Sequence, residues 1–220
     1  MVVDATRHKS VFDPAIHNPE SGATIVGAGS IGSRLALHYA ELGISQLNIL
    51  DHDTIARENI ANQVYAQSDV GKLKATVLAN MCVSKGIVAI PVPVKITSPV
   101  RFCDSIVASC VDSMQDRGII LEGNKGGIHT SLFLDGRVST TSIMVYAFDP
   151  RDDNMVTRYK ATVYPDSDVK LPACGKQSVG ITAQFAATYM TLRTIEFLTG
   201  KRRVFETLYD WTTGVLQEYE

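Results

Sequence analysis

The sequence predicts an α/β fold: a mostly parallel sheet with helices on both faces, extended by antiparallel strands in its C-terminal half. Three observations predict it. Short apolar runs alternate with helical-period segments up to residue 124. A glycine cluster at 27–32 stands between the first such run and the first helix. Beyond residue 130 the apolar runs alternate with period two and are joined by turn signals.

Taken in order, ATIVGAG (23–29) is a buried strand running into glycines. SIGSRLALHYAELG (30–43) reads as a helix with Leu35, Leu37, His38 and Leu42 near helical spacing, and Gly43 is its stop. QLNILDHD (46–53) is a second strand, and GKLKATVLANMCVSKG (71–86) is a second helix capped by Ser68 or Asp69. IVAIPVPVKI (87–96) and SIVASCVD (105–112) follow as strands, and MQDRGIILEGN (114–124) as a helix. SLFLDG (131–136), STTSIMVYAFD (139–149) and MVTRYKATVY (155–164) are expected to be antiparallel strands. A loop with two prolines (164–178) leads into the longest helix, 179–200, whose buried stripe is read as Ile181, Phe185, Tyr189, Leu192 and Ile195. Lys201, Arg202 and Arg203 read as a solvated turn, and no element is assigned after them.

The chain has 220 residues, 45% apolar and 20% charged, which suits one continuous domain able to bury a core. A net charge of −2 supplies no uniform positive field for nonspecific nucleic-acid binding. The opening MVVDATRHKSVFDP lacks an apolar signal region, and the run around IVAIPVPV is too short and proline-broken to cross a bilayer. No nucleic-acid or membrane partner is expected, and the expected location is cytoplasmic. Cys82, Cys103, Cys110 and Cys174 contain no CxxC pair, which argues against a tetrathiolate zinc site and a disulfide framework. The first three are read as core residues.

GAGSIG (27–32) has the GxGxxG form in the strand-to-helix context that makes such glycines meaningful, so a Rossmann-like nucleotide site is expected at Gly27, Gly29, Ser30 and Gly32. Backbone amides at a helix N-terminus can approach a phosphate. Asp51, 19 residues beyond Gly32, ends the next strand where a carboxylate would meet ribose hydroxyls. A dehydrogenase needs little polar chemistry after that Asp, whereas DHDTIARENIANQVY (51–65) packs Asp51, Asp53, Arg57, Asn59, Asn62 and Gln63 into one loop. Each has a bland alternative: Asp51 capping a turn, Asn59 and Gln63 ordering the loop, Asp112 capping the next helix. Lys74 is harder to explain structurally, since a cation near a helix N-terminus gains nothing from the dipole, and a bound anion would account for it.

The set GAGSIG, DHDTIARENIANQ, GKLK and CVDSMQDR resembles the ThiF/MoeB superfamily of adenylyltransferases, whose fold the ubiquitin-activating enzymes share; the likeness is close from about Ala23 to Asp116. Residues 1–220 would then form one ThiF-like adenylation domain, with an N-terminal segment (1–22) and a crossover loop (164–178). The resemblance implies ATP and magnesium as cofactors, Asp51 on the ribose, Asn59 and Gln63 near the phosphates, Lys74 on phosphate charge, Asp112 holding magnesium, and Arg117 as a further counterpart. It implies a small ubiquitin-like or sulfur-carrier protein with a C-terminal glycine as partner, a homodimer, and an acceptor cysteine at Cys174, where Lys176 and the following helix N-terminus favour a thiolate. Asn62 stands where the family has an arginine, and an asparagine cannot replace that charge. Arg57, Arg34, or an Arg7 from a second subunit would have to supply it. The alternatives are an NAD-dependent oxidoreductase, which leaves Lys74 and Asp112 without a use, and a nucleotide-binding partner subunit that has lost catalysis, for which Asn62 argues.

Overall fold

The computed structural model describes residues 3–19, 21–165 and 179–220. Eight strands form one sheet: β1 (Ala23–Val26), β2 (Gln46–Leu50), β3 (Val88–Val92), β4 (Ile106–Ser109), β5 (Leu132–Val138), β6 (Ser142–Phe148), β7 (Glu206–Asp210) and β8 (Val215–Tyr219). Their spatial order is β3-β2-β1-β4-β5-β6-β7-β8. Pairing is parallel from β3 through β5 and antiparallel from β5 through β8. The helices are α1 (Pro14–His17), α2 (Gly32–Leu42), α3 (Lys74–Ser84), α4 (Met114–Asn124), α5 (Asp153–Lys160) and α6 (Gly180–Leu198).

Period-two alternation divides the core into two layers. Ile25, Leu47, Ile49, Ile106, Ala108, Leu132 and Leu134 pack with Leu35, Leu78, Ala186 and Met190 of α2, α3 and α6. On the other face, Val26, Leu50, Val107, Phe133, Tyr146 and Phe148 pack with Ile120, Leu121, Val156 and Tyr159 of α4 and α5. From β1 the chain moves to β2 on one side and later to β4 on the other. This makes the C-terminal ends of β1 and β4 the crevice where open α/β sheets take ligands.

Several expectations are corrected. MVTRYKATVY is not a strand, for residues 153–160 form α5. The Asp152 side chain accepts from the amides of Asn154 and Met155, Arg158 and Lys160 lie in the last turn, and Val156 and Tyr159 are buried one turn apart. SLFLDG lies in β5, which pairs parallel with β4; only its partnership with β6 is antiparallel. Residues 206–219 form the hairpin β7–β8, to which the sequence reading assigned nothing. Helix α3 starts at Lys74 with Leu73 at its N-cap, whereas Asp69 accepts from the amide of Ala66 in the preceding turn. Strand β3 stops at Val92; as an edge strand it tolerates Pro91.

The stripe assigned to the longest helix is also corrected. Helix α6 buries Thr182, Ala183, Ala186, Ala187, Met190 and Thr194, while Ile181 and Leu192 are exposed. Small residues win the buried face because α6 lies close against the sheet: a Cβ at Gly136 of β5 would stand 2.5 Å from Met190 Sδ. Phe185 and Tyr189 pack at the flank. Among the cysteines, Cys82 and Cys110 are buried as expected, and burial pushes both thiols up to about 12. Cys103 is exposed, because it belongs to the connection after β3 rather than to β4.

Candidate functional site

The glycine loop is built by close approach. Gly27 has φ +95°, and a Cβ on it would stand 2.7 Å from the Cys110 carbonyl oxygen. A Cβ on Gly32 would overlap the Gly27 carbonyl oxygen and meet Cys110 Cβ at 3.1 Å. These two glycines let α2 start directly against the end of β4. Gly29 is different, since among the described residues no atom beyond its two chain neighbours lies within 4 Å of the Cβ it lacks. The amides of Gly29, Ser30 and Ile31 have no acceptor among the described residues, and Ile31 at the N-cap makes no side-chain cap. Unpaired amides at the positive end of a helix beside an open space form a place for an anion.

Residue Ala28 is fixed from both sides. Asp51 Oδ2 accepts from its amide at 2.7 Å, and the Tyr65 hydroxyl donates to its carbonyl oxygen at 2.8 Å. Asp51 Oδ1 accepts from the Asp53 amide at 2.8 Å, so this buried carboxylate ties the end of β2 to the glycine loop. Tyr65 was not singled out in the sequence, where nothing marks a buried tyrosine as a loop holder.

Lys74 has a structural partner, which corrects the expectation that a lysine at this position gains nothing structurally. It is buried, and its Nζ meets Asp53 Oδ2 at 2.8 Å. That bond holds the Asp53 carboxyl below the usual carboxylate range, against opposing effects of burial and of the nearby Asp112 carboxylate. Asp112 is exposed just after β4, and the cap of α4 is Ser113, which accepts from the Asp116 amide. Asp51, His52 and Asp53 bring ligand atoms within 4.8 Å of one another. Two of the three are carboxylates, the donor type that suits a hard divalent cation.

In the loop 57–63, Asn59 Oδ1 accepts from the Ala56 amide at 2.9 Å and orders the turn. The side-chain oxygens of Asn62 and Gln63 are buried without a donor among the described residues, an arrangement that a ligand hydroxyl, amine or bound water would satisfy. Arg34, in the first turn of α2, reaches both loops: its Nη1 donates to the carbonyl oxygens of Ser30 at 2.7 Å and Asn62 at 2.6 Å. Arg57 and Arg7 are exposed. Asn18 at the end of α1 bonds Gly43 O and the Ser45 amide, and Val3 and Pro14 pack at Gly43. That segment is thus anchored at the far end of α2, about 16 Å along the helix from the glycine loop at 1.5 Å per residue. Cys174 and Lys176 lie outside the described residues.

Behind the site, Arg117 donates to Asp135 and to the carbonyl oxygens of Val111 and Gly136. Burial lowers its guanidinium to about 10. Asp135 also accepts from Arg137 Nε at 2.7 Å and from the Tyr159 hydroxyl at 3.0 Å. The sequence reading carried Arg117 but missed Asp135, Arg137 and Tyr159, which are brought together from separate elements.

A model of the ThiF family matches residues 19–214. The chain belongs to the ThiF family. It is 36% identical over 64 residues to the adenylyltransferase and sulfurtransferase MOCS3-1 of Zea mays, covering 29% of this chain and 14% of that protein. With mouse (Mus musculus) MOCS3 the identity is 28% over 104 residues, covering 44% and 22%. The chain therefore spans less than a quarter of the length of these relatives. Among solved structures, PaaA superposes with TM-score 0.74 at 18% identity, covering 98% of this chain and 68% of that one. E. coli MccB with AMPCPP and MccA superposes with TM-score 0.70 at 16% identity, covering 96% and 66%. These likenesses show the ThiF-type fold: the parallel sheet with helices on both faces and its antiparallel extension. No helix among the described residues is long and apolar enough to cross a membrane.

Proposed function

We propose that this ThiF-family chain is an adenylyltransferase that uses ATP and magnesium to activate a carboxylate, the C-terminal carboxylate of a small ubiquitin-like or sulfur-carrier protein. The observation that carries the reading is the convergence of unpaired loop amides, Lys74 and the Asp53 and Asp112 carboxylates at the C-terminal ends of β1, β2 and β4. The names of the relatives support it: MOCS3 is called an adenylyltransferase and sulfurtransferase, and one MccB structure holds AMPCPP with MccA.

A carboxylate oxygen attacks the α-phosphorus, the bond to pyrophosphate breaks, and the acyl adenylate remains. The nucleophile is already ionised at neutral pH, so no general base is needed. The chain's work is positioning and charge neutralisation. The amides of Gly29, Ser30 and Ile31 donate to phosphate oxygens, and Asp51 offers its remaining lone pairs to the ribose. Asn59, Asn62 and Gln63 line the phosphates through their side-chain NH2 groups, and Lys74, shared with Asp53, brings positive charge. Magnesium would be held by Asp112, with Asp53 beside it, and would screen the polyphosphate. Calorimetry is expected to show binding of ATP with magnesium but not of NAD, with Lys74→Ala and Asp112→Ala each weakening ATP about tenfold or more. Tighter binding of NAD, or ATP affinity untouched by both substitutions, would sink the reading.

Cys174 then takes the acyl group: its thiolate attacks the acyl carbonyl, the bond to the adenylate oxygen breaks, and AMP leaves. Cys174→Ala is expected to keep pyrophosphate exchange and to lose a thiol-sensitive conjugate with the carrier on a nonreducing gel. A mutant that still forms the conjugate returns Cys174 to an ordinary loop residue. We place the protein as a homodimer, with Arg7 of one copy serving the other's site. Light scattering at micromolar concentration should give twice the chain mass; a monomer with full exchange activity removes Arg7 from the mechanism.

A further inference from the structure

Among the described residues, Arg34 is a half-buried cation without an anion. Of three cations around the glycine loop, Lys74 pairs with Asp53 and Arg117 with Asp135, but Arg34 has no carboxylate partner among the described residues. Burial lowers its guanidinium below the ordinary arginine value. Its Nη1 is held by two carbonyl oxygens, which fix its orientation without supplying a countercharge. Nε and Nη2 donate to no described residue.

The space around it is tailored. Gly180, the first residue of α6, lies so close that a Cβ there would stand 2.8 Å from Arg34 Nη2, 3.4 Å from Asn62 Cα and 3.6 Å from Ala61 O. The guanidinium therefore occupies a slot between the glycine loop, the loop at 61–62 and the start of α6. At residue 62 an asparagine supplies no charge, and the positive charge at that point arrives from α2.

Its place along the loop gives its direction. Asp51 binds the start of the loop, at the Ala28 amide, and Arg34 binds its end, at the Ser30 carbonyl. A nucleotide with its ribose at Asp51 and its phosphates along the loop amides reaches Arg34 with its terminal phosphates. We infer that Arg34 binds the β- and γ-phosphates of ATP, supplying from α2 the charge that Asn62 does not. This rests on the adenylation reading above and adds the residue that carries the pyrophosphate leaving group. With the fork preorganised, Nε and Nη2 present two parallel donors suited to phosphate oxygens.

The test compares MgATP and AMP binding by calorimetry in wild type, Arg34→Met, Arg34→Lys and the double variant Arg34→Met with Asn62→Arg. Arg34→Met is expected to weaken ATP about thirtyfold, as for loss of charge-assisted phosphate bonds, and to leave AMP within about twofold. Arg34→Lys should recover part of the loss, and Asn62→Arg should restore ATP affinity in the Arg34→Met background. The salt dependence of ATP binding should also flatten in Arg34→Met. A purely structural arginine would weaken ATP and AMP alike, and that result overturns the inference while leaving the adenylation reading standing. Unchanged ATP affinity with unchanged salt dependence overturns it too. A wild type that binds neither nucleotide overturns both.

Discussion

Gly29→Ala is expected to cost ATP affinity at least about tenfold in a protein that melts no lower than wild type, whereas Gly32→Ala is expected to damage the fold itself. At Gly29 a methyl group would meet nothing among the described residues beyond its chain neighbours, and its backbone is not in the left-handed region. Such a substitution ordinarily stabilises by about 0.4–1 kcal/mol, because the unfolded chain loses freedom. The methyl would instead project into the space beside the unpaired amides of Gly29, Ser30 and Ile31, where the phosphates are proposed to lie. At Gly32 the same methyl would overlap the Gly27 carbonyl oxygen and crowd Cys110, so α2 must back away from β4, at about 1–3 kcal/mol or more. Thermal melts and ATP titrations of the two variants separate these effects. Gly29→Ala with wild-type ATP affinity would remove the loop from the nucleotide site.

Asp135→Ala is expected to be the more damaging change to stability, by about 3–5 kcal/mol, because it strands two buried cations. The Asp135 carboxylate is wholly buried and accepts from Arg117, Arg137 and the Tyr159 hydroxyl. For a chain of this size that loss corresponds to a drop of about 6–20 °C in melting temperature. The same group of residues holds the site. Arg117 donates to the carbonyl of Val111, next to Asp112, and Arg137 donates to Thr162 beyond α5 while lying over the ring of Tyr146. Asp135→Asn keeps one acceptor oxygen and should lose less. As a contrast, the exposed pair Lys85–Glu41 at 2.8 Å should change stability by about 1 kcal/mol at most when Lys85 is replaced by alanine. A melting temperature for Asp135→Ala within a degree or two of wild type would mean that the buried charges find other partners.

The glycine loop was legible because its signal is local. Six residues, GAGSIG, between a strand and a helix, carry a steric requirement that the structure meets at Gly27 and Gly32. The ThiF resemblance was legible for the same reason, since each motif follows the end of a strand or opens a helix. Lys74 was half legible: the GKLK motif marked it, but its partner Asp53 lies 21 residues upstream and meets it only where the loop after β2 folds back to the start of α3. Arg34 could be named only as one arginine among several until its guanidinium was found between Ser30 and Asn62.

By itself the sequence determined the α/β class, the order of the parallel strands' elements, the glycine loop and the family, because periodicity and glycine spacing are properties of a few adjacent residues. The tertiary structure decided what depends on distant partners. It made residues 153–160 a helix docked through Val156 and Tyr159, set β5 parallel to β4, and buried the alanine face of α6 rather than its large apolar stripe. It also decided which cations near the loop are already neutralised. Local pattern states what a segment is able to bury or bind, but close packing between elements far apart in sequence selects which face is buried and which charge stays unpaired.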